Sequence, residues 1–352
     1  MLNDVKKMLS GLTERKSKGT KKINLALQGG GAHGAFTWGV LDHLLDDGRL
    51  SIAGISGASA GAVNAVMLAD GLARGGPDEA RKRLADFWRA ASVGGNLPAA
   101  QRAVLARLLS LLPVRGSPMQ LMVDTMSRFY SPYDLNPLNI NPLKDLIGRF
   151  VDFDAIRNFP GLDLFIAATN VHTGLLRVFR REEITADVVM ASATLPLVFQ
   201  AVEIEGEPYW DGGFTGNPAI LPLISANKVD DVLVVQIAPM VRDTTPTSAR
   251  DILHRVSEIT FNSSLATELR ALEYFGREAG DTTPRFNVHR IALEGIERKL
   301  AGNSRLNTDY DYFALLHRAG LRAGRLFLDK HYDDIGRRGT ADLAAAAEPL
   351  SA

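Results

Sequence analysis

The 352-residue sequence contains no cysteine. This absence excludes disulfide bonds, a thiolate nucleophile and thiolate metal ligands. No stretch approaches the about 18 consecutive apolar residues of a membrane-spanning helix, and the N-terminus lacks the apolar core of about 7 to 15 residues found in secretory signals. We therefore expect a cytoplasmic protein. Contact with an anionic membrane surface stays open because of six lysines near the N-terminus. They are Lys6, Lys7, Lys16, Lys18, Lys21 and Lys22.

The sequence also lacks an excess of charge of either sign. Lys+Arg and Asp+Glu each number 40, so the overall charge gives no reason to expect nucleic acid as a partner. Hydrophobic residues make up 46% and charged residues 23%, which is typical of globular proteins. The chain is long enough to bury a substantial core, and a globular enzyme is the first expectation.

What the sequence does contain is an alternation of predicted strands and helices. An apolar strand at 23–28 leads through glycines into an amphipathic helix that ends at Gly48, and a strand at 50–57 leads into a second helix. Two such units predict parallel strands, and hence a three-layer α/β/α fold with a mainly parallel central sheet. Further strands are predicted at 162–171, 175–180 and 231–238, and further helices at 249–275 and 308–331.

The domain organisation follows from the places where the alternation of strands and helices stops. We predict a basic leader over residues 1–22 and one main domain over residues 23–335. Within that domain we predict a helical insertion at about 75–150 and a helical C-terminal part at about 249–335. Residues 336–352 are an Ala-rich tail.

The first chemical motif is QGGGAHG at 28–34, where a strand becomes a helix. Read as Gly29-x-Gly31-x-x-Gly34, it matches a dinucleotide-binding fingerprint. The same bare backbone could instead donate N–H groups to the oxyanion of an acyl-transfer intermediate. The motif alone does not decide between these two interpretations.

The second motif, GASAG at 57–61, lies between the next strand and its helix. This is the context of a nucleophile elbow, where Ser59 would sit on a sharp turn and Gly57 and Gly61 would relieve the crowded backbone. A dinucleotide site would need an acidic residue at the end of this strand. Because Asp46 and Asp47 precede the strand, the nucleotide interpretation loses its main support.

A serine nucleophile needs a base, and none of the seven histidines lies in a context that aims it at Ser59. Asp211 is a candidate because Gly212 and Gly213 follow it and let a carboxylate sit close to another backbone. Asn217, before a proline, is predicted to orient the Asp211 loop. Two alternatives stay open. One is a Ser-Asp-His triad and the other is a non-catalytic protein that binds nucleotide or phosphate at Gly29–Gly34. The histidines for a triad are His254, His289, His317 and His331.

GGGAHG, GASAG and DGG occur in the order seen in the patatin-like phospholipases, and over about residues 23–238 the sequence resembles this family. The resemblance implies a patatin-like fold and a lipid acyl hydrolase with a Ser59–Asp211 dyad, an acyl lipid substrate and neither metal nor cofactor. It also implies an oxyanion hole made by the glycine loop. The residues of this hole are Gly29, Gly30, Gly31, Ala32 and Gly34. The sequence departs from the family at His33, where Arg or Lys is frequent, so the role of a charge at this position is open.

One further segment bears on the substrate. Residues 98–116 are rich in Leu, Ala and Val and contain only three charged residues, all arginine. A helix with this composition could contact lipid or cover an acyl-chain pocket, and it could equally be a buried helix of the insertion.

Overall fold

The computed structural model describes residues 19–98, 101, 130–278, 286–294, 305 and 307–341. The predicted leader, the segment at 98–116 and the Ala-rich tail lie largely outside these residues. The strands are β1 (Lys21–Leu27), β2 (Leu50–Gly57), β3 (Asp163–Asn170), β4 (Leu176–Arg180), β5 (Val202–Ile204), β6 (Glu207–Asp211), β7 (Asp231–Gln236) and β8 (Asn287–Ala292). The helices are α1 (Gly34–Asp47), α2 (Ala60–Gly75), α3 (Pro77–Ala90), α4 (Pro132–Leu135), α5 (Pro142–Phe150), α6 (Phe153–Arg157), α7 (Ala186–Ser192), α8 (Leu221–Ala226), α9 (Ala249–Glu278) and α10 (Tyr310–His331). Short 3-10 turns cover Gly31–His33, Arg181–Glu183 and Gly212–Phe214.

The strands form one sheet in the order β5-β6-β3-β2-β1-β7-β8, with β4 also paired to β3. The pairs β1–β2, β1–β7, β2–β3 and β7–β8 are parallel, whereas β4 and β6 are antiparallel to β3. The predicted α/β fold with a mainly parallel central sheet is therefore confirmed.

Both faces of the sheet are covered, because side chains in a strand point alternately to opposite faces. In β1, Ile23, Leu25 and Leu27 pack into the larger core with α1, α2, α3 and α10. Ala26 faces the smaller core, formed with α8 and α9. The chain thus makes three layers.

Local signals set most of the element ends. Gly48 ends α1 with φ 70°, a left-handed conformation that favours glycine, as predicted. Prolines occupy the first turn of α3 and α5, where a missing N–H costs nothing. The main difference from the sequence analysis is β8, which lies in a region predicted to be helical. Its sequence NVHRIA has no long apolar run, and it is a strand because it pairs with β7 along its whole length.

Helix α3 opens the predicted insertion and packs on α2, with Leu84, Phe87 and Trp88 in the main core. None of the helices within the described residues is sufficiently long and apolar to span a membrane.

Candidate active site

The sheet brings the ends of β2 and β6 together along a single edge of β3. Strand β4 pairs with residues 165–169 of β3 and so occupies one edge. Strand β2 pairs with 163–166 and β6 with 168–170, so both must use the other edge. They run toward each other there, and β2 ends at Gly57 opposite Ile166 while β6 ends at Asp211 opposite Ala168. Residues just beyond Gly57 therefore meet Asp211.

Ser59 lies on the sharp turn between β2 and α2. Its backbone has φ 54° and ψ −126°, a conformation that costs a non-glycine residue about 1 to 3 kcal/mol. The turn is held by the Ser59 N–H, which donates to both the hydroxyl (2.9 Å) and the carbonyl oxygen (3.1 Å) of Ser192. The side chain stands at the N-terminus of α2, where the helix dipole favours negative charge.

The glycines flanking Ser59 leave no room for a side chain. A Cβ at Gly57 would lie 2.6 Å from the carbonyl oxygen of Gly61. A Cβ at Gly61 would overlap the carbonyl oxygen of Leu27, at the end of β1. The elbow can therefore pack against the sheet only with glycine at both positions.

Asp211 is fully buried at the end of β6. Its Oδ1 accepts the Gly213 N–H at 2.7 Å. Its Oδ2 is buried and has no hydrogen bond of ordinary geometry among the described residues. The Ser59 hydroxyl is nevertheless close enough to influence the carboxyl, and in enzymes without substrate such contacts are often long and tighten on binding.

Burial raises the pKa of Asp211 to about 7, because a carboxylate loses its hydration there. The Gly213 N–H, the Ser59 hydroxyl and the positive charge of Arg305 each lower this pKa, but they do not offset the burial. Gly212 allows the close turn, because a Cβ there would overlap the carbonyl oxygen of Ala167 in β3.

The glycine loop lies against the Ser59 elbow, but two of its predicted oxyanion donors are already engaged. The Gly29 N–H donates to Asn217 Oδ1 at 2.6 Å, and the Gly34 N–H donates back into the 3-10 turn, to the carbonyl oxygens of Gly31 and Ala32. Both N–H groups are therefore hydrogen-bonded within the protein in this structure, whereas an oxyanion donor needs a free N–H.

These two glycines serve close packing instead. A Cβ at Gly29 would overlap the Cβ of Ser59, and a Cβ at Gly34 would lie 2.7 Å from that of Ala60. The N–H groups of Gly30 and Gly31 have no acceptor among the described residues, and Ala32 lies in the first turn, where N–H groups lack helical partners. Gly30, Gly31 and Ala32 stay as candidate donors.

Asn217 holds the glycine loop rather than the Asp211 carboxylate. Besides accepting the Gly29 N–H, its side chain donates to the carbonyl oxygens of Gly29 (3.4 Å) and Phe261 (3.1 Å). Its own N–H donates to Ser264 Oγ at 3.0 Å. It therefore links the loop to α9 and to the turn after β6, and the predicted orientation of the Asp211 loop is at most indirect.

Gln28 is a second support of the glycine loop, and the sequence analysis did not identify it. Its buried Oε1 accepts the N–H groups of Ile237 and Ala238, both at 2.8 Å, and its Nε2 donates to Asn262 Oδ1 at 2.8 Å. These bonds tie the end of β1 to the end of β7 and to α9. The only sequence signal is a lone polar residue at the end of an apolar strand.

His33 is buried beside the glycine loop. Burial, together with the positive charge of Arg305, lowers the pKa of His33 to about 3. The imidazole is therefore neutral at pH 7, and His33 does not provide a fixed positive charge here.

Arg305 provides a positive charge near this position, and the sequence analysis did not identify it. Its carbonyl oxygen lies so close to Gly31 that a Cβ there would overlap it, and Gly31 has φ 59°. Its guanidinium donates from Nη1 to Ser257 Oγ at 3.1 Å and faces Phe261 of α9. A single arginine far from the three motifs carries no signal that could have found it.

The histidines considered for a triad each contact a carboxylate elsewhere. The pairs are His254–Glu258 (3.2 Å), His289–Asp231 (3.0 Å), His317–Asp42 (2.9 Å) and His331–Asp334 (3.0 Å). Within the described part of the chain none of these four bonds to Asp211. In the same part, no group of three or more His, Cys, Asp or Glu side chains is arranged to hold a metal ion.

Comparison with known proteins gives one family match. The family described as patatin-like phospholipase matches residues 25–224, a range that includes all three motifs. No curated protein matches the chain significantly.

Two solved structures are similar to this chain. VipD from Legionella pneumophila is 17% identical, over 89% of this chain and 67% of that chain, with a TM-score of 0.43. ExoU, in the heterodimeric ExoU–SpcU complex from the type III secretion system of Pseudomonas aeruginosa, is 18% identical, over 94% of this chain and 75% of that chain, with a TM-score of 0.33. At these TM-scores neither likeness carries weight for the fold or the function.

Proposed function

Because the chain belongs to the patatin-like phospholipase family, we propose that it cleaves carboxylic ester bonds of phospholipids, lysophospholipids or related acyl lipids through an acyl-enzyme. Ser59 is the nucleophile and Asp211 is the general base. The observation that carries this proposal is the position of Asp211. Its fully buried carboxyl presents Oδ2, without an ordinary hydrogen bond among the described residues, beside a serine on a strained elbow.

In the first half of the reaction, Ser59 Oγ attacks the ester carbonyl carbon while its proton passes to Asp211. The carbonyl oxygen becomes an oxyanion, which accepts hydrogen bonds from the N–H groups of Gly30, Gly31 and Ala32. The intermediate then collapses, the alcohol leaves with the proton from Asp211, and the acyl group stays on Ser59. In the second half, water repeats the sequence and releases the fatty acid.

The pKa of Asp211 supports its role as the base. An aspartate with an ordinary pKa is a poor acceptor for a serine proton, whereas a base with a pKa near the working pH transfers protons efficiently. Burial raises the pKa of Asp211 to about 7. The neutral His33 is unsuited to this role, because burial lowers its pKa to about 3.

The test combines an active-site label with activity. A fluorophosphonate probe should increase the mass of the intact parent protein by that of one bound probe. The mass of Ser59→Ala should not change, and Asp211→Asn should react slowly with the probe. Ser225→Ala, which removes an exposed hydroxyl, is the matched control and should behave as the parent. The proposal fails if Ser59→Ala or Asp211→Asn hydrolyses a p-nitrophenyl fatty ester as fast as the parent.

The triad alternative makes a different prediction for the same assay. Replacing His254, His289, His317 or His331 by Ala would give one near-inactive variant if that histidine were the base. With the dyad, every one of these variants keeps most of its activity. The contacts of these histidines with other carboxylates favour the dyad.

We also propose that the enzyme meets its substrate at a membrane surface. The first half of α9 exposes an apolar face that is unusual for a surface helix, with Ile252, Leu253, Val256 and Ile259 each between 44% and 59% exposed. Val256→Asp should weaken co-sedimentation with phospholipid vesicles. Ser263→Asp, on the polar continuation of the same face, is the control. Equal binding by both variants would contradict this proposal.

A further inference from the structure

The side chain of Arg305 is partly buried, and its guanidinium has few hydrogen-bond partners among the described residues. Among the described residues its only hydrogen-bond acceptor is Ser257 Oγ, and the buried Nε has no acceptor at all. Its central carbon lies 5.8 Å from the centre of the Phe261 ring. A cation removed from water without a partner is costly, so this arrangement favours a negatively charged ligand.

The position of Arg305 relates this ligand to the active site. Phe261 also packs against Gly213, where a Cβ would overlap its ring, so one aromatic side chain separates the guanidinium from the turn after Asp211. Arg305 is near enough to lower the pKa of Asp211 electrostatically. Its main chain, in turn, contacts Gly31. The cation therefore lies beside both the base and the candidate oxyanion donors.

The neighbouring charges do not neutralise Arg305. Glu258 is the nearby carboxylate on α9, and it is already bound by Arg242 (2.6 Å) and Arg255 (3.2 Å). Although burial opposes it, hydrogen bonds from His254 and Arg242 hold the pKa of Glu258 at about 2. Glu258 thus forms ion pairs with Arg242 and Arg255 but acts on Arg305 only at longer range.

We propose that Arg305 binds the phosphate of the substrate headgroup, so that the enzyme prefers phosphate-bearing acyl lipids to neutral ones. This inference rests on the function proposed above. A planar guanidinium with free donors fits two phosphate oxygens at once. In a glycerophospholipid only a few bonds separate the scissile ester from the phosphate, so a group at the dyad and a group at Arg305 can belong to one molecule. A neutral acylglycerol would leave the cation unpaired.

The test measures inhibition by non-hydrolysable amphiphiles. Dodecyl phosphate and dodecyl glucoside share a chain and differ in headgroup, and each is titrated against p-nitrophenyl ester hydrolysis. In Arg305→Gln we expect the inhibition constant of dodecyl phosphate to rise by about 10- to 100-fold, the range for loss of a charge-assisted hydrogen bond. Arg305→Lys, which keeps the charge without the planar fork, should lie between Gln and the parent. The inhibition constant of the glucoside should not change.

Arg270→Gln, which removes an exposed arginine of helix α9, is the matched control and should match the parent. Equal rises for both amphiphiles in Arg305→Gln would overturn the proposal, because they would indicate a structural effect. Inorganic phosphate competing as well as dodecyl phosphate would also overturn it, since the ligand would then be free phosphate. Thermal unfolding checks that the variants are folded. If Arg305→Gln is unfolded, the inhibition constants of Arg305→Lys decide the test instead.

A second measurement separates this inference from the proposed function. Calorimetric titration of dodecyl phosphate into the Ser59→Ala protein reports binding without catalysis. Loss of that binding when Arg305→Gln is added supports the phosphate site even if Ser59 proves not to be the nucleophile. Unchanged binding refutes the phosphate site, whatever the esterase assays show.

Discussion

The buried carboxyl of Asp211 should make the protein less stable as the pH rises, and Asp211→Asn should remove this effect. Burial raises the pKa of Asp211 to about 7 from an ordinary value of 3.8. Between these two values the unfolded chain ionises while the folded chain holds the proton. The folded state therefore binds more protons, and the free energy of unfolding falls with rising pH.

The magnitude follows from the size of the pKa change. Each pH unit between the two values lowers the free energy of unfolding by about 1.4 kcal/mol, so the full effect above pH 7 is about 4 kcal/mol. Between pH 5 and pH 8 the change is about 3 kcal/mol. With an entropy of unfolding of about 2 cal/mol/K per residue, this corresponds to about 4 °C in Tm for a chain of this length.

The assay is thermal unfolding of the parent and Asp211→Asn across this pH range. We expect the Tm of the variant minus that of the parent to grow by about 4 °C from pH 5 to pH 8. Other ionisable groups are common to both proteins and cancel in the difference. The exposed Asp243, replaced by Asn, controls for the loss of one carboxyl group. If the difference in Tm stays constant or becomes smaller as the pH rises, the conclusion that Asp211 is buried and protonated is refuted.

Three further predictions concern the same site. The kcat/KM of the parent should rise about tenfold per pH unit below about 7 and level off above it, as Asp211 ionises, and a flat profile from pH 5 to 9 would contradict this role. Gly61→Ala should lower the free energy of unfolding by about 1 to 3 kcal/mol, because its Cβ would overlap the Leu27 carbonyl oxygen; urea titration measures this, and unchanged stability would contradict the packing. Asn217→Ala should lower kcat by about 10- to 100-fold, because the buried Gly29 N–H loses its acceptor and the loop shifts. Asn217→Asp, which keeps that acceptor, should retain more activity in the same ester assay, and equal rates for the two variants would count against this explanation.

The parts of the fold that could be predicted from the sequence are those set by local patterns. Strands β1 and β2 are short apolar runs that end in glycines, and the helices after them have amphipathic spacing. Strand β8 could not be found in this way, because pairing with β7 rather than its own composition makes it a strand. The parallel sheet itself followed from the repeated strand–helix units.

The residues of the candidate site likewise differ in whether a local sequence pattern marks them. Ser59 and Asp211 stood out because each has glycines within two positions, and glycines are needed where backbones crowd. Arg305 did not stand out, since its place beside the site depends on contacts with α9. The contact of Gly29 could not be predicted for the same reason, because its N–H donates to a residue 188 positions away. Sequence patterns showed where glycines leave the backbone without side chains. They did not show which N–H groups are already hydrogen-bonded in the fold.

The shared edge of β3 has a consequence for how this site can vary. Strands β2 and β6 end opposite Ile166 and Ala168, so the number of β3 residues between these two positions sets the spacing between Ser59, the proposed nucleophile, and Asp211, the proposed base. A slip of β6 by two residues would keep the alternation of side chains and still displace Asp211 by about 6.6 Å, far beyond hydrogen-bonding range of Ser59. Strand β3 therefore sets the distance between Ser59 and Asp211, although none of its side chains takes part in the proposed reaction. One residue inserted into β3 between Ile166 and Ala168 would leave all three motifs intact in the sequence. It would nevertheless move Ser59 and Asp211 apart.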